Sequence, residues 1–534
     1  MITRIYETFQ LKIKVITQNY PNSASRPGRS QLFRLVSKAL NRSDPGYKLQ
    51  VNADYSGSRR NFLRSVAALT ATYATPILAD VKKENPRIAI VGAGIAGLNA
   101  AYVLRQAGYQ ATVYEASQRI GGRIRTSHGD IAPGLITELG GEFIDSTHLD
   151  MLALAKTFGL PLLDTGIENE HNLKTMFFFN KRCYSEEQVI AEFRPLAIKI
   201  ASDAARLSSN ITARAHSNID AEFDAISLSE YLHEIGATGW ILDLINVAYV
   251  TEYGLDASEL SCINLLSMID ATVKDGFKIF GESDQRFKIQ GGNNRIIDEL
   301  AQRIGQDVQF GHRLVSIRPN GKGFRLALAT PGKTISVDSD WVILTLPFTL
   351  LREVEMGDML PPIKRSAVRT LGYGTNTKLV VGVDKRIWRE QGYSGECYSD
   401  KAFQTGWDAS RLQAGPSGVY TFYLGGKAGI EIGDGTTERR SQELSAALDQ
   451  VYPGFNLNRT NASFRIHWPS EPFSLGAYSC FRLGQWTQFN GEIGRQIGNL
   501  LFAGEHCSNK FQGYMNGAAE TGRIAAQAII NSLR

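Results

Sequence analysis

The sequence predicts an α/β protein, with a doubly wound parallel-sheet domain interrupted along the chain by a second domain of mixed β-sheet and helices. Three observations predict it. A buried strand, a glycine-rich turn, a helix and a second strand run from Arg87 to Glu115. Near the far end, the buried strand Leu500-Leu501-Phe502 leads through Ala503-Gly504-Glu505 to a final helix. Between them lie a mainly helical stretch and a series of alternating strand patterns.

The first unit opens with Ile88-Ala89-Ile90-Val91, an apolar run suited to a strand covered on both faces. Gly92, Gly94 and Gly97 follow in a G-x-G-x-x-G turn that leads into a helix over about Ile95 to Ala107. The first glycine makes a tight turn, the second lets backbone approach a pyrophosphate, and the third lets helix pack on strand. The helix N-terminus attracts phosphate charge. The second strand, Ala111 to Tyr114, ends on Glu115, eighteen residues after Gly97, where an acid can accept hydrogen bonds from a ribose diol. This is a dinucleotide-binding (Rossmann-like) unit, with Gly92, Ala93, Gly94, Ile95, Ala96, Gly97, Glu115 and Ala116 as expected contacts. The acid suits a free 2′-hydroxyl, so FAD or NAD rather than NADP. Arg119-Ile120-Gly121-Gly122-Arg123 then adds glycines and cations, an extension that resembles FAD-binding flavoproteins and adds Gly122 and Arg123 to the expected site.

Beyond this unit, Glu138 to Asp145 reads ELGGEFID, a Gly-Gly loop between apolar pieces. The pattern from about Leu149 to Phe280 is mainly helical, including Glu187–Leu207, Leu228–Ile235 and Trp240–Ala248. KIQGG, Lys288 to Gly292, precedes a helix over Asn294–Ile304. Strands are expected at Val308–Phe310, Arg313–Pro319, Gly323–Ala329, Thr334–Val337 and Trp341–Leu346, then at Lys378–Val383, Gly418–Leu424 and Phe464–Trp468. Helices are expected at Thr437–Val451 and Gly517–Ser532. Segments 86–160, 284–366 and 471–534 form the cofactor domain, and 161–283 and 367–470 the substrate domain. Ligands of doubly wound sheets sit at the carboxyl ends of strands, so Gly92–Gly97 and Gly504–Glu505 are expected to meet.

A composition of 43% hydrophobic and 21% charged residues describes an ordinary globular protein. The net charge of +5 is concentrated at one end: residues 1–64 carry twelve Lys/Arg against three Asp/Glu, which leaves the remainder at −4. The body therefore shows no nucleic-acid patch. The five cysteines are scattered, with no metal-ligand spacing, so no metal site is indicated. No apolar run is long and oily enough for a transmembrane helix. Ser58-Arg59-Arg60-Asn61-Phe62-Leu63-Arg64 matches the twin-arginine export pattern and precedes fifteen uncharged residues, Ser65 to Ala79. Residues 58–79 thus read as an export signal and 1–57 as a disordered leader, which places the mature protein in the periplasm or an equivalent compartment.

The C-terminal block supplies the chemistry. It comprises Trp468-Pro-Ser-Glu-Pro-Phe-Ser-Leu-Gly-Ala-Tyr478, Leu501-Phe-Ala-Gly-Glu505 and Phe511-Gln-Gly-Tyr514-Met-Asn-Gly517. Together with GAGIAGL, GGRIRT and KIQGG, it resembles the flavin amine oxidase family (monoamine oxidases, polyamine oxidases, L-amino-acid oxidases) from about Arg87 to the C-terminus. The resemblance implies an FAD domain plus a substrate domain, and it places Tyr478 and Tyr514 as two tyrosines flanking an amine before the flavin ring. Such aromatic faces steer an amine and exclude water. Lys378, ten residues before Trp388, is like the family's lysine that holds a water near flavin N5. Glu505 is similar to an acid near the ribityl and pyrophosphate region. Met515 opens a helix whose amides would face the flavin O2 side. Gly140, Gly141, Glu142 and Val315 complete the implied cofactor contacts.

Two departures are informative. Where animal monoamine oxidases carry a flavin-linked cysteine, this chain has Ala477, and Cys480, three residues along, points to the other strand face, so FAD is expected to be non-covalent. Glu142 and Phe143 stand near where many L-amino-acid oxidases place a carboxylate-binding arginine. An acid there favours an amine, or a basic amino acid held by another arginine. The expected reaction is oxidative deamination with O2 as acceptor and hydrogen peroxide as product. Alternatives are an exported L-amino-acid dehydrogenase that feeds a membrane quinone, a carotenoid- or porphyrinogen-type desaturase, and a non-catalytic FAD-binding scaffold.

Overall fold

The computed structural model describes residues 86–167, 170, 172–267 and 284–534. The leader and the twin-arginine segment lie outside the described residues, as does the end of the predicted helical stretch, 268–280.

The elements that build the site, in chain order, are β1 (Ile88–Val91), α1 (Ile95–Gln106), β2 (Ala111–Tyr114), β3 (Val308–Gln309), β4 (Trp341–Leu344), β5 (Thr377–Val383), β6 (Thr405–Asp408), β7 (Gly418–Leu424), β8 (Leu500–Phe502) and α2 (Met515–Ser532). Strands β8, β4, β1, β2 and β3 form one sheet in that order, and every adjacent pair is parallel. Strands from both ends of the sequence thus lie on either side of β4, so the cofactor domain is assembled from distant segments. Every residue of β1 is buried, as a parallel strand covered on both faces requires.

Small residues let helices approach this sheet and each other. A Cβ on Gly97 would lie 2.0 Å from the Gly92 carbonyl oxygen, so α1 can sit this close to the β1 turn only with glycine there. A Cβ on Gly522 in α2 would lie 2.2 Å from the Ala96 carbonyl oxygen. At the same crossing Asn99 Nδ2 donates to the Ala519 carbonyl at 2.8 Å, tying the first helix to the last.

The second domain is built on a seven-stranded mixed sheet in the order Arg459–His467, β5, β7, β6, Tyr393–Ser399, Lys174–Phe179, Arg182–Tyr184. Two of these strands lie inside the stretch expected to be mainly helical. The reason is burial on both faces. Phe177 and Phe179 pack into one core and Met176 and Phe178 into another, so KTMFFF shows no polar alternation. Helices Glu186–Ala204, Leu228–Glu234 and Gly239–Tyr253 form where expected; the first is capped by a reciprocal Ser185–Gln188 pair. Strands Arg313–Asn320, Gly323–Thr330 and Lys333–Ser339 form at the expected positions and pair as an antiparallel meander. The last helix begins at Met515, where the resemblance puts its start and two residues before the residue pattern does. Among the described residues no helix is long and apolar enough to cross a membrane.

Candidate active site

A cavity of about 860 Å³ opens at the carboxyl ends of β1 and β2 and continues into the seven-stranded sheet. Its first half is glycine-walled. Gly92 has φ +108°, and a Cβ there would come within 2.4 Å of Thr345 Oγ1. A Cβ on Gly94 would meet nothing within 4 Å, so the missing side chain leaves open space at the N-terminus of α1. Opposite, Gly121 donates from its backbone to the Ala93 carbonyl at 2.8 Å, bringing the RIGGR loop against the turn. Glu115 lies on the wall, where its carboxylate accepts from Ala93 N (2.8 Å), Ser117 N (2.8 Å) and Ser117 Oγ (2.7 Å). A pyrophosphate cradle beside an anchored acid fits a dinucleotide with a free ribose diol.

Glu505 joins this half to the chemistry. It is buried, pairs with Arg123 Nη1 at 2.8 Å, and accepts from Ser479 N (3.1 Å), Ser479 Oγ (2.7 Å) and Gly513 N (2.7 Å). Ser479 follows Tyr478 and Gly513 precedes Tyr514, so one carboxylate fixes the backbone beside both tyrosines. Burial alone would raise its pKa, but Arg123 and the Ser479 hydrogen bonds outweigh that and hold it below the ordinary value. Burial pushes His506 down to about 4, which keeps that imidazole neutral.

Tyr478 and Tyr514 both line the cavity. The Tyr478 hydroxyl shares a hydrogen bond with Tyr423 at 3.0 Å, and the Tyr514 ring packs edge-on against His148 at 4.8 Å. Gly92, Gly94, Ile95, Ala96, Glu115, Ala116, Gly122 and Arg123 are on the wall, as are Gly140, Gly141, Glu142, Lys378, Glu505 and Met515.

Three expected contacts are not on it. Ala93 is buried behind the turn, holding Glu115 with its N–H, and Gly97 faces the Gly92 carbonyl. Val315 sits at a bulge between Leu314 and Ser316, where its carbonyl accepts from Glu355 N at 2.9 Å, away from the cavity.

The local geometry gives two of the expected side chains partners that the sequence did not show. Lys378 reaches the site, and its Nζ donates to the carbonyls of Glu138 (3.1 Å) and Gly140 (2.9 Å) and to Glu142 Oε2 (2.9 Å). These three contacts fix the Lys378 side chain at the cavity wall beside Glu142. Glu142 does face the cavity, but not as a free anion. Its other oxygen accepts from Lys288 Nζ at 2.9 Å, and Trp407 Nε1 donates to Oε2 at 3.1 Å. Burial opposes ionisation, yet the two lysines overcome it and bring the carboxyl down to about 2. Flanked by two ammoniums, Glu142 neither repels a carboxylate nor attracts a cation as a lone acid would.

Sequence reasoning missed Trp407, Tyr423 and Arg411 on the wall and the pairing of Lys288. Lys288 stood inside the KIQGG motif, which carried a signal without a role. Trp407 and Tyr423 come from neighbouring strands β6 and β7, and no spacing along the chain announces their meeting.

A glycine cradle, an anchored acid and two tyrosines on the wall of one cavity fit an FAD-dependent enzyme with a separate substrate region. Residues 95–530 match the family model of flavin containing amine oxidoreductases, and the chain belongs to that family. It is 26% identical over 464 residues to an L-amino acid dehydrogenase of Synechocystis sp., covering 83% of this chain and 94% of that one. It is 25% identical over 476 residues to an L-amino-acid oxidase of Protobothrops flavoviridis, covering 84% and 90%. Among solved structures it shares the fold of cyclohexylamine oxidase from Brevibacterium oxydans (TM-score 0.73, 20% identity, 84% of this chain and 100% of that one). It also shares the fold of a wild-type putrescine oxidase bound to putrescine (TM-score 0.69, 21% identity, 84% and 99%). The protein is thus a flavin-dependent oxidoreductase acting on CH–NH groups, with FAD as its cofactor.

Proposed function

We propose that the protein oxidises the C–N bond of a small amine or amino acid to an imine, which water hydrolyses to a carbonyl compound and ammonia or a smaller amine. The observation that carries this is the convergence of Tyr478 and Tyr514 on the cavity that the glycine cradle opens into. FAD, when bound, supplies the acceptor for the two electrons and the proton that leave the substrate carbon as hydride. The residues do the rest. Tyr478 and Tyr514 present aromatic faces to the amine and keep water from it, and that dry setting lowers the ammonium pKa so that the neutral, reactive form prevails. Tyr423 holds the Tyr478 hydroxyl, and Glu505 holds Ser479 and Gly513, the residues next to the two tyrosines.

In this proposal O2 is the final acceptor and hydrogen peroxide the product. The likeness to an L-amino acid dehydrogenase favours a second reading, transfer to a quinone. A peroxide-release screen over amines, polyamines and L-amino acids, run beside a dye-acceptor assay, separates the two. Dye reduction without peroxide identifies the dehydrogenase, peroxide identifies the oxidase, and no turnover of any substrate leaves the non-catalytic scaffold.

The flavin is held without a covalent bond. Ala477 is the wall residue before Tyr478, Cys480 lies off the wall on a strand paired with Gly372, and burial pushes the wall thiol Cys397 well above its ordinary range. The proposal retains the domain division given above. It also retains export through residues 58–79, by a route that carries folded, FAD-loaded protein.

A further inference from the structure

Among the described residues the cavity wall carries several cations, and beyond the cofactor cradle that Arg123 lines, Arg411 alone keeps both terminal nitrogens without a hydrogen-bond partner. Arg119 donates to the carbonyls of Ile120 and Gly122, Arg123 pairs with Glu505, and Lys378 pairs with Glu142. Arg286 is bound through two nitrogens to Asp164 at 2.8 and 2.7 Å. Arg411 differs. Its Nε donates to Glu170 Oε2 at 2.9 Å, while its two Nη atoms have no hydrogen-bond partner among the described residues. Its side chain is only 15% exposed and lies on the cavity wall.

The surroundings fix this guanidinium in place. Glu170 is also gripped by Arg389, whose Nη2 donates to its two oxygens at 2.9 and 3.0 Å, and Arg389 Nε donates to Asp408 at 3.1 Å. Burial alone would raise the Glu170 pKa, but Arg411 and Arg389 outweigh it and keep the carboxylate ionised. Arg386 adds a third guanidinium close enough to act electrostatically on Asp408, Arg389 and Glu170. Three guanidiniums against the carboxylates of Glu170 and Asp408 leave this linked group with one positive charge, which one further anion would balance.

Arg411 is also placed for substrate. It lies on the wall four residues after Trp407, whose ring packs edge-on against Tyr423 at 5.3 Å, and Tyr423 in turn bonds the Tyr478 hydroxyl at 3.0 Å. An immobile guanidinium with its terminal nitrogens unengaged matches the planar geometry of a carboxylate.

We propose that Arg411 is the anion-recognition residue of this cavity, and that the substrate therefore carries a carboxylate: an amino acid rather than a simple amine. The inference rests on the proposed C–N oxidation in this cavity. It assigns the carboxylate to a residue of the substrate domain, far along the chain from the Gly-Gly loop where the sequence offered only Glu142 and Phe143.

The test uses full-length holoenzyme and matched pairs, each an L-amino acid with the amine left by its decarboxylation: lysine with cadaverine, phenylalanine with phenethylamine, leucine with isoamylamine. Wild-type enzyme should favour the amino acid of at least one pair in kcat/KM. In Arg411→Met the ratio of amino acid to amine should fall about tenfold to a hundredfold, the range of a charged hydrogen bond, mainly through KM, with Arg411→Lys in between. Benzoate, which cannot be oxidised at a C–N bond, gives a readout independent of turnover. Its calorimetric Kd for the holoenzyme should rise about tenfold or more in Arg411→Met. Flavin absorbance and thermal midpoint establish that each variant is folded and loaded, and Arg411→Lys supplies a conservative variant should the methionine variant not fold. An unchanged ratio with unchanged benzoate affinity overturns the assignment, as does a wild-type enzyme that oxidises amines but no amino acid. In that second case the proposed C–N oxidation stands. No turnover of either member of any pair contradicts the oxidation itself, and the benzoate titration still decides whether Arg411 binds carboxylate.

Discussion

Glu142 and Lys378 form a buried ion pair, Oε2 to Nζ, at 2.9 Å, and the second Glu142 oxygen holds Lys288 at the same distance. One carboxylate from the Gly-Gly loop thereby joins the segment before the Asn294–Ile304 helix to strand β5 of the other sheet. Breaking a buried pair leaves a charge uncompensated and costs about 3–5 kcal/mol. Glu142→Gln leaves two ammoniums facing a neutral amide and should destabilise the holoenzyme by about that much, whereas Lys288→Met leaves the Lys378 pair intact and should cost less. Thermal or urea unfolding of the two variants checks the order.

The same cluster sets a pH signature. Burial raises Glu138 to about 7, while Glu142 is lowered to about 2. A raised acid favours folding below its ordinary pKa, 4.5, and that contribution is lost as pH rises through about 7. A lowered acid contributes above 4.5 and is lost as pH falls through about 2. Glu138→Gln should therefore flatten the decline in stability between about pH 4.5 and 7. Denaturant midpoints measured across that range test it.

Glu505 acts through the tyrosines beside it. Glu505→Gln loses the Arg123 ion pair and weakens the contacts that fix Ser479 and Gly513. Flavin Kd should rise and kcat should fall, each by about tenfold or more, because a buried charged hydrogen-bond network is broken. Fluorescence titration with FAD reads the first effect and steady-state turnover the second. A kcat that stays intact once flavin is saturating would reduce Glu505 to a cofactor contact.

Gly94 and Gly97 should separate cofactor binding from folding. A Cβ on Gly97 collides with the Gly92 carbonyl at 2.0 Å, whereas on Gly94 it enters open space in the cradle. Gly97→Ala should destabilise the protein by at least about 2–3 kcal/mol. Gly94→Ala should fold with a midpoint near wild type but bind FAD more weakly. Unfolding curves and flavin stoichiometry distinguish the two.

What was legible in the sequence follows from how local each signal is. β1, the glycine turn, α1, β2 and Glu115 are contiguous, so period, turn chemistry and acid spacing all report on one unit. The strands from Arg313 to Ser339 were legible because they alternate and their turns are short. Lys174–Phe179 was not, because a strand buried on both faces has no alternation to read. In the site, Tyr478, Glu505 and Tyr514 lie in recognisable motifs, while the partners of Glu142 are too far away along the chain for any spacing to pair them with it. Lys288 is 146 residues from Glu142, and Trp407 is 265. Glu142 therefore read as a free acid, and only the tertiary contacts show it flanked by two ammoniums.

The most direct test of C–N oxidation at this site is anaerobic stopped-flow mixing of the FAD-loaded protein with amines and L-amino acids, following the flavin absorbance. Substrate-dependent bleaching without oxygen is expected in the wild type, and slower bleaching in the Tyr478→Phe/Tyr514→Phe double variant. Fully loaded protein whose flavin is bleached by no amine or amino acid would contradict the assignment, and unchanged bleaching in the double variant would remove the two tyrosines from it.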